Sequence, residues 1–195
     1  MERFLALLRN PLRWSVFTGF VALLGLLWIW QSAVPVAATT GGRVPSPREG
    51  FPAPDFTLAT LDGGEMTLSA LRGQVVVINL WTSWCPPCRE EMPAIEQVYR
   101  QYKDEGLEVL AGNSTFQDDE QAAAAFVQEL GLTFPILLDR DGAVSRRYRL
   151  QALPTTFFVD RRGVIRHVVP GGPMQPAFIE SKILDMLAEP APPEA

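Results

Sequence analysis

The only two cysteines of the chain stand where a predicted buried strand gives way to a predicted helix. Residues 74–81 (QVVVINLW) are almost continuously apolar and β-branched, a pattern typical of a strand that is buried on both faces. Cys85-Pro86-Pro87-Cys88 follows, and a helical spacing of apolar residues begins at Pro86. A strand, a CxxC pair and a helix in this order limit the chain to folds that place two thiols at the start of a helix.

The positions of the two cysteines on the predicted helix give them unequal roles. Pro86 suits the first helical turn, because its missing N–H would find no partner there. Cys85 then lies at the helix N-terminus, where free N–H groups and the helix dipole favour a thiolate. Cys88 lies within one turn of Cys85, close enough for a disulfide between them. We expect Cys85 to attack a partner's disulfide and Cys88 to resolve the mixed disulfide that results.

A structural disulfide and a metal site are the other interpretations of such a pair. A loop with two residues between its cysteines gains little closure entropy and joins no distant elements, which disfavours a structural role. A closed zinc site needs about four ligands, whereas the chain offers two cysteines and one histidine, His167. The sequence therefore predicts no metal and no cofactor. A non-catalytic metallochaperone is the alternative from another class, and it would bind copper or zinc stoichiometrically without turning over disulfides.

An apolar segment near the N-terminus predicts a membrane anchor. Residues 1–13 carry three arginines and one glutamate, residues 14–42 carry no charge, and residues 14–30 form a compact apolar run. As a helix this run reaches roughly 25 Å, just enough for a bilayer core. Trp28 and Trp30 lie at its far end, where interfacial aromatic residues belong. The arginines place the N-terminus in the cytoplasm, so we predict a single-pass protein of the cell membrane with an extracytoplasmic domain.

The same segment has two other interpretations. A cleaved signal peptide would use the small residues at 36–38 (VAA) as its cleavage site, and it would export the domain as well. A buried core helix is disfavoured, because the run is apolar on all sides and follows arginines. Residues 31–50 hold three prolines and three glycines without apolar periodicity, and they predict a flexible linker. As a coil, this linker would span roughly 25 Å.

The rest of the chain alternates strands and helices and predicts one α/β domain over residues 51–188. Strand patterns cover 54–59, 74–81, 107–112, 134–138, 155–159 and 164–169, and residues 66–71 are typical of a strand end and one helical turn. Helical patterns cover 86–105, 118–130, 143–148 and 176–188. This order predicts a mixed central sheet flanked by helices, with a small β extension in front and a disordered tail at 189–195. The net charge of −5 and the lack of a basic stripe exclude nucleic acid as the expected partner.

Three stretches of the domain carry a resemblance to a known family. They are 53–56 (APDF), 79–93 (NLWTSWCPPCREEMP) and 153–160 (LPTTFFVD). Through them, residues 51–188 resemble the TlpA/ResA-like group of thioredoxin-like, membrane-anchored oxidoreductases associated with cytochrome c maturation. The resemblance implies a thioredoxin fold with a central βα insertion and an enzyme that reduces disulfides of exported proteins such as apocytochrome c. It also implies a membrane thiol transporter as the electron donor.

The resemblance also implies roles for residues outside the CxxC pair. Pro154 matches the cis-proline that faces the motif in this family, where it would turn the Leu153 backbone toward a partner peptide. The alternative is a simple strand-edge proline. Glu91 matches a carboxylate that the family keeps near the active site, where it would accept a proton or modulate the thiol pKa. The alternative is a solvated charge on the helix surface, like Glu90.

Other residues near the motif bear on the same interpretation. Trp84 is predicted to form an apolar docking surface beside the first cysteine, whereas Trp81 fits a docking role or core packing. Asn79 stands where cytosolic thioredoxins place a buried aspartate. This departure disfavours a general thioredoxin and leaves Glu91 as the better candidate for proton handling.

A peroxidase is disfavoured by the residues ahead of the motif. Thr82 stands three positions before Cys85, as in the TxxC motif of peroxiredoxins. Their motif also needs a proline further upstream, and Ile78 occupies that place. The direction of electron flow stays open, since oxidants and isomerases share the fold and the intervening Pro86-Pro87 tunes the reduction potential without revealing its value.

Overall fold

The computed structural model describes residues 11–32 and 43–190. Helix α1 (Pro11–Ser32) comes first, and the chain divides into two compact units between residues 38 and 39. Within the described ranges, no helix has both the length and the apolar character that crossing a membrane requires. Residues 1–10 and 33–42, which include most of the arginine-bearing segment 1–13, half of the predicted linker and the alternative cleavage site at 36–38, lie outside the described residues.

The second unit contains seven strands and four further helices within its described residues. In chain order these are β1 (Thr57–Ala59), β2 (Glu65–Thr67), β3 (Val75–Trp81), α2 (Pro86–Tyr102), β4 (Leu107–Asn113), α3 (Glu120–Leu130), β5 (Ile136–Leu138), α4 (Ala143–Arg147), β6 (Thr155–Val159), β7 (Ile165–Pro170) and α5 (Pro176–Ala188). The predicted α/β order is confirmed.

Five of the strands form one mixed sheet, in the order β5-β4-β3-β6-β7. The neighbours β3, β4 and β5 run parallel, while β6 is antiparallel to both β3 and β7. The central strand β3 pairs along its length with β4 and along most of it with β6, and all seven of its residues are buried. The carboxyl end of this strand is therefore fixed from both sides, and the cysteines follow directly after it.

Alternate residues of β3 enter two separate apolar layers. Val77 and Trp81 belong to the layer covered by α2, α3 and α5. Val76 and Ile78 belong to the opposite layer, which α4 and the segment before β3 cover. Burying an aliphatic side chain of this size contributes about 1.5–3 kcal/mol to stability. The strand thus needs apolar residues at all of its positions except that of Asn79, which explains the nearly unbroken apolar run in the sequence.

The segment ahead of the sheet pairs with both of its edges. At the β7 edge, the Gly50 N–H donates to the Ile165 carbonyl (2.8 Å) and the Ile165 N–H donates to the Phe51 carbonyl (2.9 Å). At the β5 edge, the Leu61 N–H donates to the Ile136 carbonyl (2.9 Å). Residues 43–50, predicted as the end of a flexible linker, therefore include backbone that is hydrogen-bonded to the domain. The domain begins before residue 51.

Two element ends differ from their predictions for local reasons. The predicted helix 86–105 ends as α2 at Tyr102, because a tighter 3₁₀ turn follows and Gly106 then adopts a left-handed φ of 95°. Helix α3 begins at Glu120 rather than at 118, because Asp119 caps it by accepting the Ala122 N–H (2.8 Å). In the predicted tail, Glu189 pairs with Arg166 (2.7 Å), while residues 191–195 lie outside the described residues.

Candidate active site

The two cysteines lie at the start of α2, directly after the turn that leaves β3. Cys85 is the N-cap of the helix, and its Sγ accepts the N–H of Cys88 at 3.2 Å. A disulfide joins the two residues, with their Cα atoms 5.3 Å apart. The same N–H is positioned to stabilise a thiolate on Cys85 once the disulfide is reduced. Cys88 is completely buried and Cys85 is 4% exposed, so an approaching thiol or disulfide reaches Cys85 first.

A half-buried carboxylate, that of Asp118, holds the turn between β3 and the cysteines. Asp118 accepts hydrogen bonds from the backbone N–H and the hydroxyl of Ser83 (both 2.6 Å) and from Asn113 Nδ2 (2.7 Å). Burial alone raises the pKa of Asp118, but these hydrogen bonds outweigh it and hold the pKa below its usual range. Sequence reasoning missed this residue. The sequence did contain one signal for it. Two consecutive aspartates, Asp118 and Asp119, precede α3, whereas capping the helix requires only one of them.

The two tryptophans near the motif have different environments. Trp84 is 58% exposed, and its Nε1 donates to the Gln117 carbonyl at 3.0 Å. This bond fixes the indole beside the cysteines while leaving its apolar face open to solvent. Trp81 is buried and packs on Phe126 with ring centroids 4.7 Å apart. Of the two interpretations left open for Trp81, core packing is correct.

Glu91 lies on the buried face of α2, three residues after Cys88. Its Oε1 accepts a hydrogen bond from Asn79 Nδ2 (2.7 Å), and its Oε2 accepts the Met174 N–H (3.1 Å). Burial raises the pKa of Glu91 from 4.5 to about 7, although these hydrogen bonds act in the opposite direction. The alternative of a solvated surface charge is wrong, because the side chain has no exposed area.

The amide of Asn79 helps to accommodate the buried carboxyl group of Glu91, because it donates a hydrogen bond to it. Asn79 lies at the centre of β3, and its amide also donates to Thr156 Oγ1 (2.8 Å) on the neighbouring strand β6. An aspartate at this position would place a second carboxylate beside Glu91, and the two charges would repel each other. The asparagine instead supplies an N–H donor. The site therefore has its ionisable group on the helix rather than on the strand.

The loop after β7 brings Glu91 close to Pro154. The Leu153–Pro154 and Gly172–Pro173 peptide bonds are both cis, and the Gly171 N–H donates to the Pro154 carbonyl at 2.7 Å. A Cβ at Gly172 would lie 2.6 Å from Glu91 Oε2 and 2.9 Å from Pro154 Cγ. A residue with a side chain would displace one of them. Sequence reasoning missed this loop, whose signal was the stretch 170–173 (PGGP).

A cleft of about 520 Å³ opens beside the cysteines. The predicted site residues Trp84, Cys85 and Leu153 line it, together with the prolines of the motif, Phe116 and part of the segment 145–153. Cys88, Glu91 and Pro154 are buried behind its surface rather than in its lining. The structure thus places an accessible sulfur in a largely apolar cleft and a titratable carboxyl group behind it.

The described part of the chain contains no cluster of side chains that could ligate a metal ion. No group of three or more histidine, cysteine, aspartate or glutamate residues is placed there to hold an ion. His167 lies in β7, where its ring meets Phe158 edge-on at 6.3 Å, away from the cysteines in sequence and in the sheet.

Comparisons with known proteins point to the same chemistry. A model of the AhpC/TSA family matches residues 50–168. The chain is 41% identical over 122 residues to the thiol-disulfide oxidoreductase ResA of Geobacillus kaustophilus, a match that covers 63% of this chain and 69% of that protein. It is 39% identical over 121 residues to the thioredoxin-like protein YneN of Bacillus subtilis, covering 62% and 71%.

Solved structures resemble the domain as well. StoA from Bacillus subtilis superimposes with a TM-score of 0.59 at 29% identity, covering 67% of this chain and 96% of that one. A secreted Mycobacterium tuberculosis disulfide oxidoreductase homologous to E. coli DsbE gives a TM-score of 0.61 at 26% identity, covering 67% and 95%. The expected thioredoxin-like fold is confirmed.

Proposed function

The chain belongs to the AhpC/TSA family and is a thiol–disulfide oxidoreductase, and from this premise we propose that its Cys85–Cys88 dithiol reduces disulfides in exported proteins. In the reduced enzyme, the Cys85 thiolate attacks one sulfur of the substrate disulfide and displaces the other sulfur as a thiolate. The Cys88 thiolate then attacks the mixed disulfide and displaces the second substrate sulfur. Two electrons and two protons pass from the enzyme dithiol to the substrate, which leaves as two thiols.

The difference in exposure between the two sulfurs carries this proposal. Cys85 faces the cleft at the N-terminus of α2, whereas Cys88 is completely buried. An external disulfide therefore meets the sulfur whose thiolate is favoured by the helix. The resolving sulfur is reached only from within the protein, by the mixed disulfide that Cys85 has formed.

We assign the proton of Cys88 to Glu91. The carboxyl group lies one helical turn after Cys88, and its pKa of about 7 suits a group that takes up and releases protons near neutral pH. In this scheme Glu91 accepts the Cys88 proton as that sulfur attacks the mixed disulfide. Trp84, Leu153 and Pro154 are proposed to bind the substrate segment, the first through its exposed indole and the others through the backbone beside the cleft.

The reducing direction is tested by the reduction potential of the Cys85–Cys88 couple. We expect a value closer to that of thioredoxin, about −270 mV, than to that of the strong oxidant DsbA, about −120 mV. Equilibration with glutathione or dithiothreitol buffers, followed by quantification of the two forms by mass spectrometry, gives the value. A potential near that of DsbA would establish the alternative, a disulfide oxidant or isomerase of the same fold.

The proposed partners and location rest on the sequence resemblance. Apocytochrome c is the proposed substrate, and a membrane thiol transporter is the proposed source of electrons. Residues 14–30 are proposed to anchor the protein in the membrane, supported by their lack of charge and by the arginines that precede them.

Fractionation of a bacterial host that expresses the full chain tests the anchor. We expect the intact chain to stay with the membrane after a carbonate wash, and we expect added protease to digest the domain in spheroplasts but not in intact cells. A shortened chain in the soluble periplasmic fraction would establish the cleaved signal peptide instead. Protection of the domain in spheroplasts would contradict export altogether.

A further inference from the structure

One side of the cleft beside Cys85 is cationic. Arg146 and Arg149 both line the cleft and both are exposed. Within the residues that the structure describes, neither guanidinium has a carboxylate within ion-pair distance, and Arg146 Nη1 donates instead to the Asp141 carbonyl (3.0 Å). The protein as a whole has a net charge of −5. Two uncompensated positive charges beside the reactive sulfur therefore stand out from an acidic surface.

Arg149 occupies a backbone position that normally requires glycine. Its φ is 53°, and among the described residues it is the one non-glycine residue with a positive φ. It follows the C-cap of α4: its N–H donates to the Arg146 carbonyl (3.1 Å), and the Leu150 N–H donates to the Ser145 carbonyl (2.9 Å). This is the Schellman arrangement, in which glycine is preferred because a Cβ is unfavourable in the left-handed region. Backbone stability therefore does not account for an arginine here.

The rest of the cleft is suited to an extended peptide. Trp84 and Phe116 present exposed rings, and Pro86 and Pro87 form an apolar surface next to Cys85. Apolar surfaces of this kind bind many sequences with little discrimination. The arginines add the one element that discriminates by charge, since a guanidinium donates paired, charge-assisted hydrogen bonds to a carboxylate.

We propose that this cleft selects substrate segments that carry an aspartate or glutamate close to the cysteine to be reduced, with Arg149 and Arg146 binding the carboxylate. The inference rests on the proposed reducing function and adds a substrate class to it. The local positive charge of the two guanidiniums attracts the acidic segment to the cleft, and the contact with the arginines holds it while Cys85 attacks. The preference should weaken at high salt, because both guanidiniums are exposed.

Three disulfide-linked peptides of equal length test the preference. They carry aspartate, asparagine or lysine at the positions flanking the cysteine and are otherwise identical. With the reduced full chain, we expect single-turnover reduction of the aspartate peptide to be about tenfold faster than that of the lysine peptide, with asparagine between them. In Arg149→Gly this ratio should fall to within about twofold, whereas Arg149→Lys should keep part of it.

Two further measurements separate a binding role of Arg149 from a structural one. Arg149→Gly should keep or raise the thermal midpoint, because glycine suits the left-handed position. Arg48→Gln removes the same charge from an exposed site outside the cleft and should leave the peptide ratio unchanged. Equal rates for the three peptides, an unchanged ratio in Arg149→Gly, or a lowered midpoint would each overturn the inference and leave the reducing function intact. Failure to reduce any peptide would instead contradict the proposed function.

Discussion

Replacing Cys88 with serine is expected to stop catalytic turnover and to trap the substrate on Cys85. The attacking sulfur remains at the helix N-terminus, so the first exchange proceeds, but no second thiol displaces the product. We expect multiple-turnover reduction of a disulfide substrate to fall by at least about a thousandfold, because attack and resolution act as one unit. The mixed disulfide should appear as a higher band on a non-reducing gel, and mass spectrometry should locate it at Cys85.

The control for this experiment is Cys85→Ser. It retains the buried Cys88, which an external disulfide does not reach, so it should form little mixed disulfide. Cys88→Ala provides a second trapping variant, because a serine hydroxyl at this buried site lacks an assured hydrogen-bond partner. Equal trapping by Cys85→Ser and Cys88→Ser would contradict the unequal roles of the two sulfurs. In the native host, the same trap would identify the partner.

Glu91→Gln is expected to remove a pH dependence of the free energy of unfolding. The pKa of Glu91 is raised by burial from 4.5 to about 7 in the folded state, so the folded protein binds this proton more tightly than the unfolded chain. Its contribution to stability is fully present below pH 4.5 and is lost as the pH rises through about 7. The difference between these pKa values corresponds to about 3 kcal/mol. Urea unfolding at pH 5 and at pH 8.5 measures it.

The experiment is cleanest with the disulfide intact, because neither cysteine then titrates. Glutamine retains the shape of the side chain and an acceptor for the Met174 N–H, so the variant should fold. Glu90→Gln is the matched control, since Glu90 is the exposed neighbour on the same helix. Its pH dependence should equal that of the unmodified protein. If Glu91→Gln showed the same loss of stability with pH as the control, Glu91 would not carry the raised pKa.

The elements of the domain could be predicted from the sequence because each carries its own local pattern. The β-branched run fixed β3, and α5 was predicted with the bounds that it has, Pro176–Ala188. The environment of Glu91 also had a local signal. Cys88, Glu91, Met92 and Ile95 recur at the spacing of one helix face, and this face is the buried one. The alternative of a solvated surface charge stayed open only because charged side chains usually lie at the protein surface.

What the sequence could not indicate are the contacts between residues far apart in the chain. Asp118 reaches back 35 positions to Ser83, and Met174 reaches back 83 positions to Glu91. Neither residue belongs to a motif with a fixed spacing, and each acts through a single side chain or one backbone N–H. Arg149 is of the same kind, because the left-handed backbone that makes it unusual becomes visible only in the folded chain.

Backbone that pairs with part of each sheet edge bears on the exported client chains that we propose for this enzyme. Gly50 and Phe51 pair with Ile165 at the start of β7, and residues 60–61 pair with β5. Chains that expose reducible cysteines also expose extended backbone, and an uncovered edge strand would recruit such a chain into the sheet and seed aggregation. With these edge positions already paired, less of the sheet edge is free to bind a client chain, and the cleft beside Cys85 remains the place where we propose that it binds.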